Sequence, residues 1–396
     1  MATQPMVAQQ RPRFGTHPPL SLYIHLPWCV RKCPYCDFNS HEAPDHFPEQ
    51  EYADALIADL DQDLPRIWGR TIQTIFLGGG TPNLFSGSTI DNLLSQLRSR
   101  LRLSPTTEIT MEANPGACHI EQFARFREAG INRLSLGVQS FNDDSLQNVG
   151  RIHNGRQAYD AVISAREAGF DNINLDLMFG LPGQSASIAH NDLQTAIELY
   201  PEHISYYQLT IEPNTAFHQN PPPQGSDTLL WRIQRQAQHE LQKHGYHQYE
   251  VSAYARDGQR CQHNLNYWQY GDYLGIGAGA HSKLTDPNSQ TITRLTKVRH
   301  PARYLATAGS PSAIQREERL ETQQIILEFM MNTLRLTDGF ESRLFAAHTG
   351  LSLALIQRQL TLAEEAGLLC RDALRIRPTA RGVRYLNNLL ELFVTC

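Results

Sequence analysis

The sequence predicts an α/β protein: a partial (β/α)6, TIM-like barrel followed by a small C-terminal α+β domain that resembles a winged helix. Apolar runs of strand length alternate six times with amphipathic helical stretches between Leu20 and about residue 215. Such alternation gives a parallel sheet, because each helix returns the chain to start the next strand in the same direction. One unit also recurs. FREAGINRLSLGVQS from Phe126 and SAREAGFDNINLDLMFG from Ser164 both run from a Glu-Ala-Gly helix end into an apolar strand, with Gly130 and Gly169 39 residues apart. Finally, the distinctive motifs fall just after strands, where barrels of this class bind ligands.

The elements follow in order. Leu20 to His25 is the first strand, and a cysteine-rich loop follows it. A helix runs from about Glu49 to Leu64, then a strand, Ile72 to Leu77, enters Gly78-Gly79-Gly80-Thr81. Ile90, Leu93, Leu94, Leu97 and Leu101 keep helical spacing. Glu108 to Ala113 is the third strand, and the next helix, from about His119, ends at Gly130, a C′ glycine. The repeat supplies the fourth and fifth strands. A helix over about Ser187 to Leu199 leads to the sixth, HISYYQLTIEP.

Beyond an extended loop from Pro213 to Gly225, the sequence predicts a helix (Thr228 to Lys243) and a strand-like run (Tyr246 to Tyr254). A polar segment, RCQHNLNYWQYGDYLGIGAGAHS, and a turn-rich break at Thr285 to Gln290 come next. The last eighty residues read as helices at about Glu321–Leu334, Glu341–His348 and Ser352–Glu365, a hairpin CRDALRIRP and a final helix from Thr379. The expected divisions are a disordered tail at 1–19, a barrel at 20–215, a barrel extension at 216–310 and the C-terminal domain at 311–396.

Composition narrows the class. The chain has 396 residues, 41% hydrophobic and 19% charged, as ordinary soluble globular proteins do. A net charge of −5 gives no reason to expect nucleic acid. From Gln315 onward ten Arg face ten Asp plus Glu, so an Arg cluster near the wing reads as a solvated face. No apolar run approaches the length of a membrane span. The N-terminus lacks the apolar stretch of a secretory signal and reads as polar and Pro-rich. Seven cysteines, three of them clustered, fit a metal site in a reducing compartment better than a disulfide scaffold, and the cytoplasm is expected.

Cys29, Cys33 and Cys36 carry the chemistry. Three thiolates within eight residues can converge on a soft metal centre. A structural zinc requires four closed protein ligands, and no fourth Cys or His follows at short spacing. Three thiolates on an iron–sulfur cubane would leave one iron open to a non-protein ligand. A zinc knuckle or three ordinary thiols remain alternatives on spacing alone. Gly78 to Pro82 allows close approach of backbone to a ligand, whereas the dinucleotide pattern GxGxxG is absent. Glu112, Gln139, Arg151 and Asp176 are each ordinary surface or ion-paired residues by type. Placed after successive strands, they make a polar site.

CxxxCxxC, with Tyr35 just before the last Cys, resembles the signature of the radical S-adenosylmethionine (SAM) superfamily. The resemblance implies that Cys29, Cys33 and Cys36 hold a 4Fe-4S cluster whose open iron chelates SAM. The cluster then reduces SAM to methionine and a 5′-deoxyadenosyl radical. It also implies SAM contacts from Tyr23 and Tyr35, from Gly79, Gly80 and Thr81 of the Gly-rich motif, and from Glu112, Gln139, Arg151 and Asp176.

The set PWCVRKCPYCDFNS, GGGTPNLF, MEANPG, LSLGVQSF, GRIH, DLMFGLPGQ and HNLNYW resembles the oxygen-independent coproporphyrinogen III oxidase group, from about Leu20 over nearly the whole chain. That group holds two types. The oxidase carries a further Cys where this chain has Phe38, and a longer N-terminal extension. The heme chaperones keep CxxxCxYCDF and HNxxYW, here His263 to Trp268. The resemblance therefore implies a chaperone rather than an enzyme that decarboxylates coproporphyrinogen. Heme would be a third cofactor, and heme-accepting proteins, membrane-bound respiratory enzymes among them, would be partners. It makes His263 a heme contact flanked by Tyr267 and Trp268, with His281 or Cys261 as alternatives.

Overall fold

A computed structural model describes residues 11–45, 47–117 and 119–394. The strands of its main sheet are β1 (Leu20–Leu26), β2 (Thr71–Gly79), β3 (Arg102–Ala113), β4 (Arg133–Gln139), β5 (Ile173–Phe179) and β6 (His203–Gln208), then β7 (His247–Gln248), β8 (Ala253–Ala255), β9 (Asp272–Ile276), β10 (His281–Asp286), β11 (Thr291–Lys297) and β12 (Ile314–Arg319). Among the described residues they form one open sheet in the order β12-β11-β10-β9-β1-β2-β3-β4-β5-β6-β8-β7. β1 to β6 pair in parallel, as the alternation predicts. The principal helices between them are α1 (Glu49–Asp63), α2 (Gly87–Arg100), α3 (Ile120–Ala129), α4 (Gly155–Glu167) and α5 (Ala186–Glu198). Side-chain caps fix several helix starts: Ser86, Asn154 and Ser185 each accept an otherwise unpaired N–H of the first turn. Gly130, at φ +104, closes α3 in the left-handed conformation expected of it.

Three expectations change. The polar segment hides a seventh parallel strand, β9, which pairs with β1 from Leu20↔Asp272 to Ile24↔Ile276. Asp272 made that stretch look like loop. It is fully buried and satisfied by Lys283 at 2.9 Å, Arg70 at 2.9 Å and the Thr285 N–H at 2.9 Å. Paired in this way, a charge can sit in a buried strand. The break at Thr285 to Gln290 is the tight connection of an antiparallel ladder, β10 with β11. The sheet's last strand, β12, lies beyond the expected division at 310 and pairs with β11. Buried Lys297 at the end of β11, 2.5 Å from Asp59 and 2.6 Å from Asp63, fastens this extension to α1.

The tail is the third. Residues 1–10 lie outside the described residues, but 11–19 are not disordered. Phe14 is buried in the C-terminal core. Its N–H donates to Gln290 Oε1 at 2.6 Å and its carbonyl accepts from Gln290 Nε2 at 3.1 Å, while the Arg13 N–H donates to Gly350 O at 2.8 Å. Composition misleads here because one aromatic and a few satisfied amides suffice to order so short a segment. Replacing Phe14 by Ala should therefore cost about 3–5 kcal/mol, as other buried Phe→Ala changes do, measured by denaturant unfolding. A change within about 0.5 kcal/mol would show that the segment does not pack as described.

The C-terminal domain has its own core and the expected winged-helix-like layout. Helices at Thr322–Thr333, Ser342–Thr349 and Gln357–Glu365 pack with a three-stranded sheet of β13 (Phe340–Glu341), β14 (Leu369–Arg371) and β15 (Arg375–Pro378), in the order β13-β15-β14. Among the described residues no helix is long and apolar enough to cross a membrane.

Candidate functional site

A cavity of about 420 Å³ opens at the C-terminal ends of the parallel strands, within the size range of small-molecule sites. Cys29, Cys33 and Cys36 line one wall. The loop that carries them is closed at its base. Cys29 pairs with Glu42 in a two-residue parallel ladder, and the His41 N–H donates to Pro27 O at 2.7 Å. Lys32 Nζ bridges the carbonyls of Phe38 (3.1 Å) and Ser40 (3.2 Å) across it. Burial raises the Cys29 and Cys36 thiols above their ordinary range, and a bound cation would release their protons. Among the described residues no three His, Cys, Asp or Glu side chains stand close enough to hold one ion. A tetrahedral zinc, with Zn–S of about 2.3 Å, would draw three sulfurs to within about 4 Å of each other. In a cubane each thiolate takes its own iron, an arrangement that three thiols on one cavity wall can meet.

The Gly-rich segment is pressed against this loop. The Gly80 N–H donates to Leu26 O (2.8 Å) and the Thr81 N–H to Trp28 O (2.7 Å). A Cβ on Gly80 would lie 2.5 Å from Trp28 O, and one on Gly79, at φ +113, would run into the His25 ring at 2.4 Å. Only glycine fits both positions. The Gly79 N–H donates to Glu112 Oε2 at 3.0 Å. Burial pushes the Glu112 carboxyl up to about 7.

The remaining wall comes from successive strand ends. Gln139 ends β4 at φ +67, at a register shift against β5. A non-glycine residue holds that conformation at a cost, and such strain gathers at functional sites. Its Oε1 accepts from Tyr207 Oη at 2.7 Å. Arg151 Nη2 donates to Asn114 Oδ1 (2.9 Å) and Gly137 O (2.7 Å), and its Nη1 lies 3.7 Å from Cys33 Sγ. Its Nε is buried without a partner. Asp176 accepts from Ser135 Oγ at 3.0 Å and Asn174 Nδ2 at 2.9 Å, and burial raises its carboxyl. Tyr35 faces the same space. The cavity thus gathers all three cysteines with Tyr35, Gly79, Gly80, Thr81, Glu112, Gln139, Arg151 and Asp176.

Two expected residues lie elsewhere. Tyr23 does not line the cavity; it is half-buried on β1, where its Oη donates to His25 Nδ1 (3.0 Å), and His25 Nε2 donates to Asn39 O (2.9 Å). That tautomer is neutral, and burial holds His25 down to about 4. His263 is the larger correction. It belongs to α6 (Gln262–Trp268), whose N-terminus is capped by Glu108 through the N–H groups of Gln262 (3.1 Å) and His263 (3.0 Å). That places the helix at the opposite end of the barrel from the cysteines. His263 is 1% exposed, its Nδ1 pairs with Thr74 Oγ1 at 2.7 Å, and burial pushes it down to about 3. Asn266 of the same motif donates to Ser21 Oγ (2.9 Å) and Asp272 O (2.8 Å). HNLNYW closes the barrel floor, with the His263 ring 5.0 Å from those of Phe76 and Tyr267 and its Nε2 buried without a partner. The polar spacing signalled a site, but the capping carboxylate that turns the motif inward lies 155 residues away.

The sequence missed Asn114, Ser135, Asn174, His203 and Tyr207. Asn174 Oδ1 accepts from His203 Nδ1 at 2.6 Å, and His203 Nε2 accepts from Tyr249 Oη at 2.9 Å, so a buried polar relay supports Asp176 from below. The available signal was period two: 174 with 176 and 203 with 205 share a strand face.

The radical SAM superfamily model matches residues 23–195, and the HemN C-terminal domain model matches residues 320–385. A curated relative from Haemophilus influenzae, named heme chaperone HemW, is 48% identical over 96% of this chain and 98% of its own length. Its namesake from Escherichia coli is 49% identical over 95% of this chain and 98% of its own. Among solved structures, the coproporphyrinogen III oxidase HemN from Escherichia coli, described as a radical SAM enzyme, superposes with a TM-score of 0.81 over 96% of this chain and 91% of that one. At 24% identity that likeness speaks for the fold alone. Cofactors implied by the superfamily, a 4Fe-4S cluster and SAM, match a cavity lined by three thiols and strand-end carboxylates. The match over nearly the full length of both bacterial relatives shows that the chain belongs to the HemW family of the radical SAM superfamily.

Proposed function

We propose that this chain is a cytoplasmic heme chaperone that binds a 4Fe-4S cluster and SAM, captures heme and passes it to acceptor proteins. The observation that carries the reading is identity of 48–49% with curated heme chaperones over almost the whole chain. Phe38, where the oxidase resemblance calls for a further Cys, agrees with it. Cys29, Cys33 and Cys36 hold the cluster. Tyr35, Gly79, Gly80, Thr81, Glu112, Gln139, Arg151 and Asp176 hold SAM, and Tyr23 positions the loop through His25. When bound, the cluster and SAM supply one-electron reductive cleavage of a sulfonium. The chain's own contribution is a fixed loop, a backbone cradle and desolvated carboxylates that accept hydrogen bonds from a cationic nucleoside. The barrel and its sheet extension, through residue 319, form the body that carries the cluster and SAM, with the C-terminal domain appended.

The test is anaerobic heme titration beside coproporphyrinogen turnover on reconstituted protein. Near one heme per chain and no protoporphyrinogen are expected. Multiple turnovers with no stable heme complex would instead make the protein an oxidase.

Glu112 adds a pH dependence. Burial pushes its carboxyl up to about 7. Above that pH it is a carboxylate and attracts cationic SAM. Below it the group is neutral, so each further pH unit should weaken SAM binding by up to about tenfold. Isothermal titration between pH 6 and 8.5 checks this. Glu112→Gln should flatten the profile, and a flat wild-type profile would remove Glu112 from the SAM contacts.

A further inference from the structure

Outside the barrel cavity, a groove of about 1140 Å³ runs between the C-terminal domain and α-helix Asp227–Lys243. Trp231, Arg235 and His239 follow one another at i, i+4 and i+8 on the helix face that lines it. One turn, about 6 Å, separates each from the next. Arg384 and Tyr385 of the C-terminal domain face them, and Tyr254 lies on the floor. The Arg384 guanidinium stands 4.1 Å over the Trp231 ring and that of Arg235 5.8 Å from it. Trp231 is 38% exposed and Tyr385 44%. A core would have covered these rings, and a solvated helix face has no need of a half-exposed Trp. Among the described residues neither Arg235 nor Arg384 joins an ion pair, and His239 makes no hydrogen bond. His247, the other imidazole of the groove, is held 3.6 Å from Asp257.

We propose that this inter-domain groove is the heme site: His239 binds the iron, Trp231 and Tyr385 flank the macrocycle, and Arg235 and Arg384 pair with the two propionates. The proposal rests on the heme-chaperone reading and places heme outside the barrel, away from buried His263. Three properties select heme as occupant. Unpaired cations complement a dianionic edge, and Arg binds carboxylates through two parallel hydrogen bonds. Trp231 and Tyr385 offer ring surface to a planar ligand when Arg384, which stands over both rings, turns to a propionate. An imidazole is a common axial ligand. The acidic group at the rim, Asp227, lies at the start of the helix, about three turns from His239, and leaves the cationic stripe intact.

The groove also adjoins the SAM cavity. Gln208, the last residue of β6, lines both. Leu230, in the groove wall, lies against Gly180, where an added Cβ would meet it at 2.8 Å. Heme in the groove would therefore sit one side-chain layer from the SAM site, at a joint between two domains, where ligand-driven movement could open it for release.

Hemin titration of the full-length, reconstituted protein, followed by its Soret band, tests the site. His239→Ala should shift the band, and Arg235→Ala with Arg384→Ala should weaken hemin binding about tenfold or more. Iron content and SAM affinity should stay at wild-type values, because these side chains are at the surface. Unaltered spectrum and affinity in both variants, with wild type binding hemin, would overturn the groove. So would loss of hemin only on replacing His263. Failure of wild-type protein to bind hemin would instead overturn the chaperone reading, and the groove with it.

Discussion

Protein in which Cys29, Cys33 and Cys36 are all replaced by Ala should carry essentially no iron after anaerobic reconstitution. Wild type should carry about four irons per chain and the broad absorbance near 400 nm of a cubane. The expectation follows from position as well as spacing. The three thiols share a cavity wall on a loop tied down by the Cys29–Glu42 ladder and by Lys32. Cys261 cannot substitute for them. It is fully buried against Glu108 at the other end of the barrel, and burial raises its thiol to about 12. Cys370 belongs to the C-terminal sheet, on the far side of the domain joint. Iron analysis and absorbance decide the matter, and full iron retention in the triple variant would overturn the site. The fold should survive, because these side chains are only partly buried.

Asp176→Ala should weaken SAM binding by roughly 10- to 150-fold while iron content holds. A hydrogen bond to a charged group is worth about 1.5–3 kcal/mol, which converts to that range. Asp176 suits the test because its partners, Ser135 Oγ and Asn174 Nδ2, belong to the barrel and do not touch the cysteine loop. Arg151→Ala should cost as much in SAM affinity. Its Nη1 lies 3.7 Å from Cys33 Sγ, so that variant should also disturb the cluster's spectrum, which Asp176→Ala should leave alone. Equilibrium SAM binding to both variants separates the two effects. Wild-type affinity in both would mean that this wall of the cavity faces something other than SAM.

Local sequence determined a great deal of this protein. Three closely spaced thiols, glycines that must meet backbone, and carboxylates after successive strands are short-range patterns. A parallel barrel carries strand ends to one rim whatever the loops between them do. The six-strand parallel run, the winged-helix-like domain and most cavity residues were therefore legible, whereas the seventh parallel strand, β9, was masked by a charge. Long-range pairing decided the rest. Asp272 reads as loop until Lys283, Arg70 and Thr285 satisfy it inside a sheet. Phe14 reads as tail until the C-terminal core and Gln290 receive it. His263 reads as an exposed side chain until Glu108 caps its helix and Thr74 pairs with its Nδ1. The groove beside Trp231 exists only because residues 231–239 and 384–385, some 150 apart in sequence, face each other across a domain joint. A charge or an aromatic ring in sequence has no fixed cost. The partner that the fold brings to it determines whether it is core, plug or binding surface.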